Sequence, residues 1–301
     1  MPRAIRPAQL CRSWLFLEGG NEAALRSAVG SGADVLIQEL EDFTPPALRP
    51  AARALAAELY ATWREADAVV AVRVNPLDQD GMDDLAAVMR GKPDIVALPK
   101  VAEPSHVVRL DEAVNRFERE YGIPQGSTAL LPNIESARGL VQLEAIAGAS
   151  KRIVACLLAS EDLAADLGAE RTPEGLELTY CRLRFFVVCV AAGIVAIDCP
   201  YTFSDTEGLA RDTAWARRLG YTAKSCIDGA HAAIINGALT PSEAELSRAQ
   251  KIVAVFEAAR AKGEARVTLD GARVEVPTYA NARRLLARGE SLRAFEQGRS
   301  H

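Results

Sequence analysis

The sequence predicts an α/β protein: a closed (β/α)8 TIM barrel followed by a C-terminal helix–hairpin–helix appendage. Three observations carry that prediction. Eight short apolar runs alternate with stretches of helical periodicity, and most of the runs are continuously apolar, as strands of a parallel sheet covered on both faces are. The eight units fill about 230 residues, the scale of such a barrel. No Gly-rich phosphate fingerprint follows the first run, which makes the open doubly wound sheet the runner-up. The expected division is a barrel over 1–240 and a lid and oligomerisation segment over 241–301.

Taken in order, Trp14 to Leu17 is the first strand, closed by Glu18-Gly19-Gly20. Asn21 caps the next helix, and Gly30 and Gly32 end it. Residues 35–40 form the second strand, followed by Glu41-Asp42, Pro45 and Pro46, then an Ala-rich helix to about Arg64. Residues 69–74 are the third strand, with Arg73 near its end, and 95–100 the fourth, ending at Lys100. A long amphipathic helix over about 104–121 leads to the fifth strand, 128–135. Pro132 inside it cannot donate to the ladder and predicts a bend or bulge. Ser136 caps a further helix.

The sixth strand, from Ile153, runs into Ser160, Glu161 and Asp162 and then an Ala/Leu-rich helix ending at Gly168. Acids at a helix start suit its dipole, yet an acid at the end of a buried strand is costly unless something there needs charge. A helical region over about 173–191 precedes the seventh strand, 193–198, and a further helix precedes the eighth, 223–228. Beyond Pro241 the pattern changes to a long helix to about 262, a hairpin around Asp270-Gly271, and a final helix to about Arg288 with a polar, frayed end. Asp-Gly between alternating apolar residues is a strong hairpin signal.

Composition narrows the function. The net charge of -5 and the absence of a Lys/Arg-rich run argue against nucleic acid as a partner. Six scattered cysteines without a CxxC pair read as reduced thiols, hence a cytoplasmic protein. No signal-peptide core opens the chain, and the run FFVVCVAAGIVAI is too short and interrupted to span a membrane.

A polar residue stands at or just beyond each strand's C-terminal end: Glu18, Asp42, Arg73, Lys100, Glu135, Asp162, Asp198 and Asp228. Barrel active sites are built on that face, so these positions are expected to converge. With Glu41 added, acids outnumber the bases Arg73, Lys100 and Lys224. Crowded carboxylates raise one another's pKa, and a divalent cation removes the conflict. Oxygen-only ligands point to Mg2+ first and Mn2+ second, with Glu135 and Asp162 as the pair. The histidines His106, His231 and His301 lie away from the strand ends, against a His-based zinc site. The competing account is that these acids cap helices and pair with Arg73, Lys100 and Lys224.

The segments RSWLFLEGG, GADVLIQELEDFTPP, VRVNPL, IVALPKVAEP, NIESARGL, ASEDLAADLG, GIVAIDCPY and LTPSEAE…LDGARVEVP resemble, in order and over nearly the whole chain, the HpcH/HpaI aldolase and citrate lyase β-subunit family. The resemblance implies a Mg2+-dependent carbon–carbon lyase. Its substrate would be a short carboxylic acid unit, as a CoA thioester of the citryl-, malyl- or citramalyl-CoA kind. It also implies roles: Glu135 and Asp162 on the metal, with Glu135 also facing substrate, and Arg73 on the substrate carboxylate. Glu41 and Asp42 would orient metal-bound water, and Glu275 of a neighbouring subunit would be the acid in a homo-oligomer, a trimer or hexamer. Three positions depart from the family pattern. Glu18-Gly19 stands for Pro-Gly after the first strand, Ile227-Asp228-Gly229 for Ile-His-Pro after the eighth, and Glu275 for Asp in the hairpin. The alternatives are a 2-oxo acid aldolase without CoA, a non-catalytic ligand-binding relative, and a two-carboxylate glycosidase, against which scarce aromatics count.

Overall fold

A computed structural model describes residues 5–264 and 266–298. The chain divides into two compact units between Leu239 and Thr240. In the first, β1 (Ser13–Glu18), β2 (Val35–Glu39), β3 (Val69–Arg73), β4 (Ile95–Leu98), β5 (Ala129–Ile134), β6 (Ala155–Leu158), β7 (Val195–Asp198) and β8 (Ala223–Cys226) close into a barrel in sequence order. Every neighbouring pair is parallel, and β8 closes onto β1. Helices fill the connections, among them Arg49–Glu65, Pro104–Glu120, Ser160–Leu167, Thr179–Ala191, Thr206–Leu219 and Gly229–Leu239.

Local signals act as the residues dictate. Asn21 accepts from Ala24 N at 3.1 Å and Ser136 from Gly139 N at 3.1 Å, each satisfying a helix N–H that has no partner within its helix. At Pro132 the β5–β6 ladder changes step: Leu130 bridges Ile153, but Asn133 pairs with Leu157, so β6 carries one extra residue. The expected bulge is present, on the strand beside the proline.

Side chains alternate between two apolar layers. Trp14, Phe16, Val35, Ile37, Val69, Ala71, Ile95, Ala97, Leu131, Leu157, Ile197 and Ala223 form one cluster drawn from all eight strands and no helix. Such a cluster is the barrel interior. Leu15, Leu36, Val70, Val72, Leu98, Leu158 and Ala196 belong instead to the layer shared with the helices. This parity decides which strand-end residues reach the mouth, because successive side chains on a strand point to opposite faces.

The second unit holds the helix Glu243–Ala261, the hairpin strands β9 (Val267–Leu269) and β10 (Ala272–Val274), and the helix Val276–Gly298. A capping box of Ser242 and Glu245 starts the first helix. Asp270 and Gly271 take φ of 51° and 77° in the turn. The last helix does not stop near Arg288 but continues to Gly298. Glu290, Leu292, Arg293, Ala294, Glu296 and Gln297 in that extension are good helix formers, Leu292 is buried, and Arg293 pairs with Glu243 of the other helix. His301 lies outside the described residues. No described helix is long and apolar enough to cross a membrane.

Candidate active site

Parity sets the floor of the mouth. Glu39, Arg73 and Glu135 continue the inward series of β2, β3 and β5, and all three are buried. Glu39 and Arg73 are register partners across β2 and β3, and Arg73 Nε donates to Glu39 Oε1 at 3.0 Å. The terminal nitrogens of Arg73 stand 3.3 Å from Glu41 Oε2 and 3.7 Å from Glu135 Oε1. The guanidinium carbon lies 5.1 Å from the Phe16 ring and 5.5 Å from the Phe43 ring, within reach of cation–π attraction from both.

Glu39 is further held by the N–H groups of Glu41, at 2.6 Å, and Phe43, at 2.8 Å. Those two bonds fold the segment after β2 over the mouth. Glu41 pairs with Lys100 Nζ, which also contacts Asp42 at 3.1 Å. The backbone N–H of Lys100 donates to Glu135 Oε2 at 3.1 Å. Glu39, Glu41, Asp42 and Glu135 thus share two cations, Arg73 and Lys100, and the excess is negative.

That excess appears in the ionisation of Glu135. Burial pushes its carboxyl up to about 7, opposed by Arg73 and reinforced by the charges of Glu41 and Asp162. Burial also raises Glu39 against the pull of Arg73. Glu135 Oε1 and Glu41 Oε2 are buried without a hydrogen-bond partner.

Asp42, Arg73 and Asp162 line one cavity of about 280 Å³, with Phe16, Phe43, Leu157 and Ile227 as apolar wall and Ser160, Thr202 and Ser225 supplying hydroxyls. Asp162 sits in the first turn of the helix Ser160–Leu167. Among the described residues its carboxylate has no hydrogen-bond or ion-pair partner. Its neighbour Glu161 is committed, to Arg171 at 3.1 Å and Thr202 at 2.7 Å.

The donor set fits a hard cation. Glu135 offers a buried oxygen that accepts no hydrogen bond, and Asp162 an uncommitted carboxylate, both oxygen ligands. No group of three or more His, Cys, Asp or Glu able to hold a metal occurs among the described residues. Two carboxylates with positions left for water and substrate is the Mg2+ habit.

The structure therefore brings Glu41, Asp42, Arg73, Glu135 and Asp162 together, with Lys100 among them. It does not bring Asp198 or Lys224. Both have outward parity: Asp198 pairs with Arg182 at 2.6 Å and with Lys224 at 2.7 Å, and Lys224 also holds Asp212 at 2.5 Å and the Cys199 carbonyl at 2.6 Å. Arg182 and Asp212 belong to the helices Thr179–Ala191 and Thr206–Leu219, so the four form an ion cluster behind the sheet, and the pairing account holds there. Asp228 is exposed and accepts from Ala230 N at 2.9 Å, a cap for the helix Gly229–Leu239. Glu18 ends β1 half-buried. Glu275 lies in the second unit, exposed, at the junction of β10 and the last helix. Glu39 lies two residues before Glu41, inside the strand-end positions named from the sequence. The signal for it is the inward series Val35, Ile37, Glu39, an acid at a core position.

Residues 12–229 match the family described as HpcH/HpaI aldolase/citrate lyase. The chain is 34% identical over 289 residues to citrate lyase subunit beta of Escherichia coli, covering 95% of each chain. It is 31% identical over 292 residues to a (3S)-malyl-CoA thioesterase of Cereibacter sphaeroides, covering 94% of this chain and 96% of the relative. Among solved structures it is similar to CitE from Mycobacterium tuberculosis in complex with magnesium, acetoacetate and coenzyme A, with 25% identity, 93% and 98% coverage and a TM-score of 0.73.

Proposed function

The chain belongs to the HpcH/HpaI aldolase/citrate lyase family, and on that premise we propose that it is a Mg2+-dependent carbon–carbon lyase acting on a short carboxylic acid unit carried as a CoA thioester. One observation carries the reading. The uncommitted Asp162 and the guanidinium of Arg73 line a single cavity at the C-terminal face of the barrel, and Glu135, with a buried oxygen that accepts no hydrogen bond, stands 3.7 Å from that guanidinium. That face is where barrels place their chemistry. The relatives add support, since a CitE is described with magnesium, acetoacetate and coenzyme A and another relative as a malyl-CoA thioesterase.

In this reading Glu135 and Asp162 hold the cation. A bound Mg2+ supplies Lewis acidity where negative charge develops on the enolate oxygen during cleavage. Arg73 receives the substrate carboxylate on its terminal nitrogens, which face acids at 3.3 and 3.7 Å without committing to them. A forked donor suits that role better than a lysine. Phe16 and Phe43 lie within cation–π reach of the fork, and the apolar wall around them excludes water, which strengthens each charge contact. Glu41 and Asp42 orient water at the cation. Glu275, from a neighbouring subunit of a homo-oligomer (a trimer or hexamer), returns a proton to the departing carbon. Residues 1–240 are then the catalytic domain, and 241–301 the lid and oligomerisation segment of a cytoplasmic protein.

The test is to incubate the protein with Mg2+ and, separately, citryl-, malyl- and citramalyl-CoA, the corresponding free acids and free 4-hydroxy-2-oxo acids, resolving products by mass spectrometry. Cleavage of a thioester into acyl-CoA and a 2-oxo acid, abolished by chelator, is the expected outcome. Cleavage of free 2-oxo acids alone replaces the CoA reading with the aldolase one. No cleavage of any substrate removes the lyase reading.

A further inference from the structure

We infer that Lys100 is a positioning residue that fixes how many carboxylates the cation meets, and so selects Mg2+ over larger divalent ions. The inference rests on the reading of Glu135 and Asp162 as the cation's ligands and goes beyond it, because it concerns a residue with no place in that pair.

Three observations single Lys100 out. It ends the run after β4 with φ at 54°, in the left-handed region, which side-chain-bearing residues seldom enter without a reason. In that conformation its N–H donates to Glu135 Oε2 at 3.1 Å, while Glu135 Oε1 accepts no hydrogen bond. Its Nζ meanwhile holds Glu41, and Asp42 at 3.1 and 3.4 Å. One residue therefore ties down three carboxylates: one oxygen of Glu135 through the backbone, and Glu41 and Asp42 through the ammonium.

Four acids crowd the side of the mouth that Lys100 faces, but Lys100 and Arg73 divide them among themselves. Mg2+ is satisfied with one or two carboxylates and water in a tight octahedron, whereas Ca2+ takes six to eight oxygens in a looser shell. Without the ammonium, Glu41 Oε1 and the Asp42 carboxylate become free oxygen donors beside Glu135 and Asp162, while Glu41 Oε2 stays against Arg73. The site then offers a carboxylate-rich, deformable shell, which favours Ca2+.

Glycine provides a clean variant, because it adopts a positive φ without strain and keeps the N–H to Glu135. Mg2+ and Ca2+ are titrated by calorimetry into the wild-type protein and into Lys100→Gly, Lys100→Gln and Lys100→Arg, with circular dichroism confirming fold. The expected result is a shift of the Ca2+-to-Mg2+ affinity ratio toward Ca2+ by about tenfold or more in Lys100→Gly and Lys100→Gln. Lys100→Arg, which keeps the charge, should stay within about threefold of wild type. If Lys100→Gly does not fold, Lys100→Gln decides. An unchanged ratio in the neutral variants, with Mg2+ still bound by wild type, overturns the role of Lys100 and leaves the cation reading standing. An equal shift in Lys100→Arg also overturns it. Wild-type protein that binds neither ion overturns both.

Discussion

Glu39 and Arg73 face each other inside the barrel on adjacent strands, joined by a 3.0 Å bond from Nε to Oε1. Neither side chain is more than a few per cent exposed. A buried charge is tolerated only with a partner, and here each supplies it for the other. The consequence is directional: Glu39 takes the Nε edge of Arg73, so the terminal nitrogens are left turned toward Glu41, Glu135 and the cavity.

Arg73→Lys should therefore keep the fold and lose function. A lysine retains the charge that Glu39, Glu41 and Glu135 need, but one ammonium cannot serve Glu39 and a substrate carboxylate together. A kcat/KM reduced at least about 100-fold, with a melting temperature within a few degrees of wild type, is expected. Arg73→Met should instead destabilise by about 3–5 kcal/mol, since it leaves buried acids uncompensated. Unchanged kcat/KM in Arg73→Lys removes Arg73 from substrate binding.

Glu135→Gln and Asp162→Asn should each weaken Mg2+ binding by more than the roughly 10–100-fold that loss of a supporting group costs. Calorimetry measures this without any substrate. Wild-type affinity in either variant takes that residue out of the ligand pair.

Gly19→Ala should disturb the mouth from outside it. A Cβ at Gly19 would lie 2.4 Å from the carbonyl oxygen of Glu39 and 3.1 Å from Thr44 Oγ1. The Gly19 N–H donates to both of those oxygens, at 2.9 and 2.8 Å. The clash is with backbone, so β2 must move, and Glu39 and Glu41 with it. Loss of stability of about 1–3 kcal/mol together with weakened Mg2+ binding is expected, read by denaturant titration and calorimetry. A variant as stable as wild type would mean that the end of β2 is free to shift.

Stability at low pH should depend on Glu118. Burial opposes its ionisation, but hydrogen bonds from Arg152, at 2.6 and 2.9 Å, and from Gly126 N and Thr128 N hold its carboxyl below the usual range. A depressed carboxyl pKa contributes stability that is fully present above the unfolded value. That stability is lost as pH falls through the lower folded value. Glu118→Gln should lower the melting temperature by several degrees at pH 7, and the gap to wild type should close below about pH 4. A gap that stays constant from pH 7 to pH 3 would show that the ion pair is not its source.

Glu275→Gln should reduce turnover while leaving Mg2+ affinity unchanged, because the proposed acid acts on carbon and not on the cation. Sedimentation of the full chain should report an assembly larger than a monomer. A monomer at working concentration, or full activity in Glu275→Gln, excludes a shared site.

Much of this was readable from residues alone. Eight apolar runs at βα spacing point to a parallel sheet, because a continuously apolar strand must be covered on both faces, and their number favours a closed barrel. Asn21, Ser136 and Asp270-Gly271 set their caps and turn through bonds to neighbours a few residues away. Glu161 and Asp162 after the sixth strand line the cavity at the mouth, and Glu41, Asp42, Arg73 and Glu135 lie near one another. What the list of strand-end charges lacked was direction. Asp198 and Lys224 end strands as Arg73 does, yet one step of parity turns them to the helix layer, where Arg182 and Asp212 wait. That parity is visible along each strand; the partners are not, since they come from helices far away in the chain. The same holds at Lys100, whose left-handed backbone and its grip on Glu41, Asp42 and Glu135 exist only once β2, β4 and β5 lie side by side. Local chemistry chose the elements, but only closure of the barrel decided which charges neutralise each other and which oxygens stay free.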